Sequence, residues 1–295
     1  MKNIADIQNE YRKKIDPLDL ELLICDVLQK PREFVLTHPE YEIPKLKIAQ
    51  CILKIARRIA SEPIAHILGH KEFYGLDFVI NKHTLIPRPE TEQLVGLAIK
   101  KISNFKFQIS NLCVIDVGTG SGCIITSTAK NIIDNQLLNI NYFGIDISKD
   151  ALNIARKNAR LNAVNKKISF LHGDLLSPFI QNSKFKIQNS KIIILANLPY
   201  LSREIYQTAP VDVRKYEPKT ALYSAKSGLA HYEKLLKQLK SIYTPGTMLH
   251  SICLLEFSPE QKIPLQKLVR SIFPKAQITF HKDLAGKWRV ASIEL

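Results

Sequence analysis

Cys113-Val114-Ile115-Asp116-Val117-Gly118-Thr119-Gly120-Ser121-Gly122 decides the reading, because an apolar run of strand length gives way to three alternating glycines. Glycines at a strand end allow a tight turn and let the backbone come close to a ligand. A helix that begins after such a turn offers unpaired N–H groups, and the apolar residues that follow predict one over 124–133. Three glycines exceed what a plain strand-to-helix turn requires. Alone, the pattern fits a nicotinamide-dependent oxidoreductase as well as other nucleoside-binding folds.

Working outward, apolar stretches at 142–147, 168–171 and 192–196 predict three more strands, with a helix over 151–161 between the first two. Apolar strands alternating with helices argue for an α/β fold with a mostly parallel sheet covered on both faces. The tail, at 248–257 and 277–295, predicts further strands around the Phe273-Pro274 turn. Two lysine-, asparagine- and serine-rich stretches, 104–111 and 182–190, look alike and read as exposed loop insertions.

Upstream the texture changes. Residues 1–68 predict a small helical domain, with apolar bands at Leu18, Leu20, Leu22, Leu23 and Val27 and at Ile48, Ile52, Ile55, Ala56 and Ile59. Residues 69–88 contain Glu72-Phe73-Tyr74-Gly75-Leu76-Asp77-Phe78-Val79-Ile80, which predicts a connecting β-hairpin. The remainder, 89–295, forms the main domain. In Ile86-Pro87-Arg88-Pro89-Glu90-Thr91-Glu92, Pro89 holds Arg88 extended and acidic residues follow in a first helical turn.

Composition narrows the class. Apolar residues make up 45% of 295, enough for a substantial core, and the formal net charge is +15. Residues 1–72 are nearly neutral, with 12 basic and 11 acidic side chains, whereas 73–295 hold 30 and 16. A field of that sign allows weak contact with nucleic acid or an acidic protein surface. The five cysteines are scattered without a CxxC, so reduced thiols in a cytoplasmic protein are expected, not a zinc site or disulfide scaffold. No stretch approaches the roughly 20 apolar residues that span a membrane, and no histidine spacing suggests a metal site.

Asp146 closes the second strand within reach of the glycine loop, where a carboxylate accepts from the ribose hydroxyls of a nucleoside cofactor. Asp174 ends the third strand at the same edge and is placed to receive an adenine amino group. Asn197-Leu198-Pro199-Tyr200 follows the fourth strand, and hydride transfer has no use for it. The Asn197 side-chain carbonyl and the Leu198 backbone carbonyl suit a planar NH2 group, with the Tyr200 ring covering one face. Glu256 reads either as a carboxylate in the site wall or as an exposed strand end, and Arg88, Glu90 and Glu92 either as pocket residues or as a salt-bridged helix start. Asp212 to Pro218 reads as a polar segment flanking the cleft.

At these residues the sequence resembles the peptide chain release factor glutamine N5-methyltransferase family. The resemblance rests on Glu62-Pro63-Ile64-Ala65-His66-Ile67-Leu68-Gly69, Phe73-Tyr74-Gly75, residues 86–92, the glycine loop, and Asp212-Val213-Arg214 with Glu217-Pro218. It implies a Rossmann-like class I methyltransferase domain using S-adenosylmethionine, releasing S-adenosylhomocysteine, and needing no metal. Its implied substrate is the glutamine of the Gly-Gly-Gln motif of release factors, docked in part by the helical domain. By position, Gly118, Thr119, Gly120, Ser121 and Gly122 match the cofactor loop and Asp146 the ribose acid. Leu175 falls where some members carry an aromatic against adenine, and Asn197 to Tyr200 match Asn-Pro-Pro-Tyr, so Asn197 borders both cofactor and substrate. Leu198 replaces the first proline, and a leucine still supplies the backbone carbonyl.

Two other readings share parts of this evidence. Methylation of an exocyclic amino group in DNA or RNA presents the same planar nitrogen and would use the positive field, although no target-recognition domain is evident. A module that binds cofactor but has lost turnover through Leu198 is a non-enzymatic alternative.

Overall fold

A computed structural model describes residues 2–105, 111–132, 140–181, 190–242 and 251–295. Most of the stretches 104–111 and 182–190, residue 133 and the start of 248–257 lie outside the described residues. The chain divides into two compact units, one of residues up to His70 with Pro210–Tyr216, the other of Lys71–Ala209 with Glu217–Leu295.

The first unit is helical: Ile4–Tyr11, Pro17–Leu28, Arg32–Thr37, Lys45–Ile59, Ile64–Leu68 and Val211–Tyr216. Asp16 starts the second helix by accepting from Leu18 N at 2.8 Å, with Pro17 at the first helical position, where its missing N–H is no loss. The buried face is rotated from the expected bands, for it carries Leu20, Leu23, Ile24, Val27 and Leu28 against Cys51 and Ile55, while Leu18, Ile52 and Ile59 are exposed. Charge explains the rotation. Lys54 and Arg58, one turn apart, pair with Asp26 and Asp19 on helix Pro17–Leu28 and turn that face of Lys45–Ile59 toward it. Residues 210–216 pack with these helices, and the Tyr216 hydroxyl donates to Ala60 O at 2.9 Å.

In the second unit, strands β1 (Leu112–Val117), β2 (Ile140–Asp146), β3 (Ile168–His172), β4 (Lys191–Ala196), β5 (Ile252–Glu256), β6 (Gln277–Lys282) and β7 (Trp288–Glu294) form one sheet. Its order is β6-β7-β5-β4-β1-β2-β3, parallel except for β7, which runs antiparallel to both neighbours. This is the Rossmann-like α/β architecture. Helices α1 (Glu92–Ser103), α2 (Cys123–Ile132) and α3 (Lys149–Leu161) pack together, as do α4 (Ala230–Ile242) and α5 (Lys262–Ile272). Alternation along β1 shows why both faces are covered. Cys113, Ile115 and Val117 join the cluster containing Leu235, Leu236 and Leu265 of α4 and α5, while the residues between them face the other way and are equally buried. Each such Val, Leu or Ile contributes roughly 1.5–3 kcal/mol relative to exposure.

The hairpin of His70–Phe73 and Leu76–Val79 turns through Tyr74 and Gly75. Phe73 and Phe78 are buried edge to face at 6.1 Å, so Phe73 serves packing. Asn158 of α3 binds the hairpin with both ends of its amide, accepting from Val79 N at 2.8 Å and donating to Val79 O at 3.0 Å. Because β1 to β5 are parallel, their carboxyl ends share one sheet edge, where ligands of open α/β folds bind.

Candidate active site

The glycine loop is held from behind. Gly118 N and Thr119 N both donate to Ile145 O at 2.9 and 2.8 Å, and Gly122 N donates to Thr119 O at 2.8 Å. Asn158 adds a bond from its Nδ2 to Ser121 O at 2.8 Å, joining loop and hairpin through one buried amide. Gly122 has φ +77°, and a Cβ there would stand 3.0 Å from Ala155 Cβ and 3.1 Å from Ala155 Cα. Glycine is needed at that position so that α3 can pass close behind the loop.

Asp146 leaves β2 with both oxygens engaged on backbone. Oδ2 accepts from Gly120 N at 2.9 Å and Oδ1 from Ser148 N at 2.8 Å. Burial raises its pKa against the pull of those amides. Ser148, not Asp146, caps α3, accepting from Ala151 N at 3.2 Å. Each carboxylate oxygen retains a second lone pair for a ligand. Asp174 pairs with Lys234 and is more than a third exposed, while Leu175 is buried in the core cluster with φ +55°.

Asp116, quoted in the motif but given no role of its own, is completely buried at the end of β1. The Thr119 hydroxyl donates to Oδ2 at 2.6 Å, whereas Oδ1 has no hydrogen-bond partner. Burial, with Asp146 adding to it, pushes this carboxyl up to about 7.

The segment after β4 is held at Asn197, Leu198 and Tyr200. Asn197 Nδ2 donates to the hydroxyl of buried Thr91 at 3.1 Å, leaving Oδ1 available. Leu198 N donates to the Tyr232 hydroxyl at 3.3 Å. Its side chain is buried, with Cδ2 only 2.8 Å from where a Cβ on Gly118 would begin. The Tyr200 hydroxyl donates to Glu256 Oε1 at 3.3 Å, and Gln261 Nε2 donates to Tyr200 O at 2.8 Å. Glu256 is buried at the end of β5, behind the cavity lining; burial pushes its carboxyl up to about 7, against Thr91, Arg289 and Tyr200, which favour the charged form. Arg88 pairs with buried Glu217, whose other oxygen accepts from Ile86 N at 3.0 Å. Glu92 Oε1 accepts from Tyr74 N at 2.9 Å, which assigns this acid to the hairpin turn.

A cavity of about 300 Å³ gathers these pieces. Gly118, Thr119, Gly120, Ser121, Asp146, Asp174, Leu175, Asn197, Leu198 and Pro199 all line it, joined by Arg88, Thr91, Cys123 and His231. Two expected residues do not. Gly122 is turned to α3, and Tyr200 stands away from the cavity wall with its hydroxyl on Glu256. Thr91, Tyr232 and Gln261 escaped the sequence reading, since nothing in their spacing marks them as partners of residues more than 30 positions away. No group of three or more His, Cys, Asp and Glu suited to a metal occurs among the described residues.

Comparison with known proteins fits this arrangement. Residues 9–69 match the PrmC N-terminal domain and residues 108–260 a methyltransferase domain. A release factor glutamine methyltransferase of Enterococcus faecalis is 34% identical over 260 residues, covering 88% of this chain and 85% of its own. One of Vibrio cholerae is 35% identical over 274 residues, covering 92% and 87%. The chain belongs to the release factor glutamine methyltransferase family. Among solved structures, the N-terminal domain of human METTL16 superposes with a TM-score of 0.54 at 16% identity, covering 96% of this chain and 95% of that one. That likeness is one of fold alone.

As a member of the release factor glutamine methyltransferase family, the chain is an enzyme whose methyl donor is S-adenosylmethionine. The residues present fit that group. Asp146, at the rim of the glycine loop and lining the cavity, suits a diol.

Proposed function

We propose that this chain transfers the methyl group of S-adenosylmethionine to N5 of the glutamine side chain in the Gly-Gly-Gln motif of peptide chain release factors. The observation that carries the reading is the Asn197 amide, held through Nδ2 on Thr91 so that Oδ1 remains the acceptor at the cavity. An acceptor there takes one proton of a substrate NH2, and the Leu198 carbonyl takes the other. Pro199 biases Leu198 toward an extended conformation, which suits that carbonyl to its role.

An amide nitrogen is a weak nucleophile because its lone pair is delocalised into the carbonyl. Two acceptors on its hydrogens fix the plane of the group and raise electron density on nitrogen. S-adenosylmethionine, when bound, would supply a methyl carbon on a sulfonium, which the held nitrogen would attack in line with S-adenosylhomocysteine as the leaving group. The proton then leaves to solvent, because alkylation makes the nitrogen strongly acidic. Orientation and exclusion of water supply the rate, and no strong base is required. In this reading Gly118 to Ser121, Asp146, Asp174 and Leu175 hold the cofactor, Asp146 through its ribose. Pro199 stiffens the loop and Tyr200 braces it through Glu256.

The helical unit, residues 1–68 in the sequence reading, docks the folded release factor, and 69–88 connects it to the catalytic domain 89–295. The basic surface assists encounter and allows weak contact with nucleic acid. Five free cysteines suit the reducing cytoplasm. No described helix is long and apolar enough to cross a membrane. Mass spectrometry of release factor, bulk RNA and DNA after incubation with labelled cofactor tests the function. One methyl on the glutamine, absent from a Gln→Ala factor, is expected; labelled nucleic acid with an unlabelled factor would establish base methylation instead.

A further inference from the structure

Leucine at 198 gives this chain a backbone N–H where the family motif has a proline nitrogen without one. That N–H lies inside the protein, on a residue 3% exposed, and donates to the Tyr232 hydroxyl at 3.3 Å. Tyr232 is fully buried in the first turn of α4, and its own proton is donated to the main-chain oxygen of Glu256, the last residue of β5. A rigid path therefore runs from the sheet through a phenol to the loop after β4.

Geometry shows what the path controls. The peptide plane between Asn197 and Leu198 contains the Leu198 N–H, so fixing that N–H fixes the plane. Pro199 fixes the next one, because it restricts its predecessor to extended conformations. With both planes set, the φ of Leu198 is determined without a pyrrolidine ring, and its carbonyl direction with it. The same first plane sets the backbone on which the Asn197 side chain stands. A proline would fix φ covalently; here a hydrogen bond does so.

We propose that Tyr232 is a positioning residue for methyl transfer, its hydroxyl standing in for the missing proline ring by locking the Leu198 peptide through the N–H that leucine introduces. The inference rests on the proposed roles of Asn197 and the Leu198 carbonyl. Burial raises the Tyr232 pKa well above its usual value, so the phenol stays protonated and its single proton stays committed to Glu256 O. Its oxygen is then a constant acceptor for Leu198.

The test is a double-mutant cycle on the full chain, with release factor as substrate. Tyr232→Phe keeps the buried ring and removes only the hydroxyl. In the natural background it should lower kcat by about tenfold or more, with the cofactor KM changed less than about twofold. In a Leu198→Pro background the same substitution should change kcat by less than about threefold, because no N–H remains to be held. Equal losses in both backgrounds, or no loss in the natural one, overturn the proposal.

Hydrogen exchange at the Leu198 amide provides a second readout that needs no substrate and no proline variant. Tyr232→Phe should accelerate exchange there while β4 and β5 stay protected. Unchanged exchange at Leu198 overturns the proposal even if the enzyme is slower. Failure of the natural enzyme to label release factor would overturn the functional reading and leave the exchange result standing.

Discussion

The amide of Asn197 donates through Nδ2 to the hydroxyl of Thr91 at 3.1 Å, and Thr91 is 2% exposed. With the Thr91 oxygen accepting from Nδ2, the other end of the Asn197 amide, Oδ1, is the one left for a ligand. Without that partner the amide can turn and present NH2 to a substrate NH2, donor against donor.

Thr91→Val therefore should lower kcat by about tenfold or more, equivalent to roughly 1.4 kcal/mol of barrier, with cofactor affinity little changed. Thr91→Ser should restore most of the rate. Steady-state kinetics on release factor, with calorimetry for S-adenosylhomocysteine, separates the two effects. A Val variant as active as the natural enzyme would exclude Thr91 from orienting Asn197.

Asp146 has two tasks that substitution can separate. It accepts from Gly120 N and Ser148 N, and it is proposed to accept from the ribose. Asp146→Ala should weaken cofactor binding by about 1.5–3 kcal/mol, the range for hydrogen bonds to a charged group. It should also lower the melting temperature of the cofactor-free protein, since two amides lose their acceptor. Asp146→Asn retains one acceptor and should fall between. Unchanged calorimetric affinity in the Ala variant would remove Asp146 from the cofactor site.

The parallel core was legible because its signal is local. The Cys113 to Val117 run and its glycines sit together in the chain, and the structure differs only by adding Leu112 to the strand. The helical unit was legible as helices but not by face. Hydrophobicity along Lys45–Ile59 is one-sided and favours the band of Ile52 and Ile59, yet ion pairs to Asp19 and Asp26, far away in sequence, turn another face inward. The same limit applied at the site. Asn197 is visible in its tetrapeptide, but Thr91 is brought to it across 106 positions. Nor does a leucine in place of proline announce that its N–H has a buried acceptor. Tyr200 is visible in the same tetrapeptide, but the bond from its hydroxyl to Glu256, 56 positions away, is not.

Asp116 and Glu256 make stability depend on pH. Both carboxyls are pushed up to about 7 by burial, from ordinary values of 3.8 and 4.5. A carboxyl that holds its proton more tightly when folded contributes stability below its unfolded value and loses it as pH rises through the folded one. Each pKa unit corresponds to about 1.4 kcal/mol. His231 and His281, lowered by burial, run in the opposite sense, but only below about 6.5. Between about pH 6.5 and 8, then, the cofactor-free protein should melt progressively lower, and Asp116→Asn should flatten the dependence. Melting curves at matched ionic strength read this, and a melting temperature that climbs with pH in that window would reverse the assignment.

Docking of the release factor should be separable from chemistry through the helical unit. Leu46 and Leu53 lie seven residues apart on helix Lys45–Ile59, 74% and 65% exposed, and so share one face. A leucine so exposed adds nothing to its own core, and Leu→Asp at either position should leave the fold intact. If this face meets the substrate protein, each substitution buries a charge on binding and should raise the KM for intact release factor about tenfold, with kcat little changed. Activity on a short Gly-Gly-Gln peptide should be far lower from the outset, because binding energy away from the reacting nitrogen is what holds it in line. That low activity should be the same in variant and natural enzyme. A KM rise for the peptide as well would mean that the substitutions disturb the catalytic domain, whereas no rise for the intact factor would move the docking surface to another face of the unit.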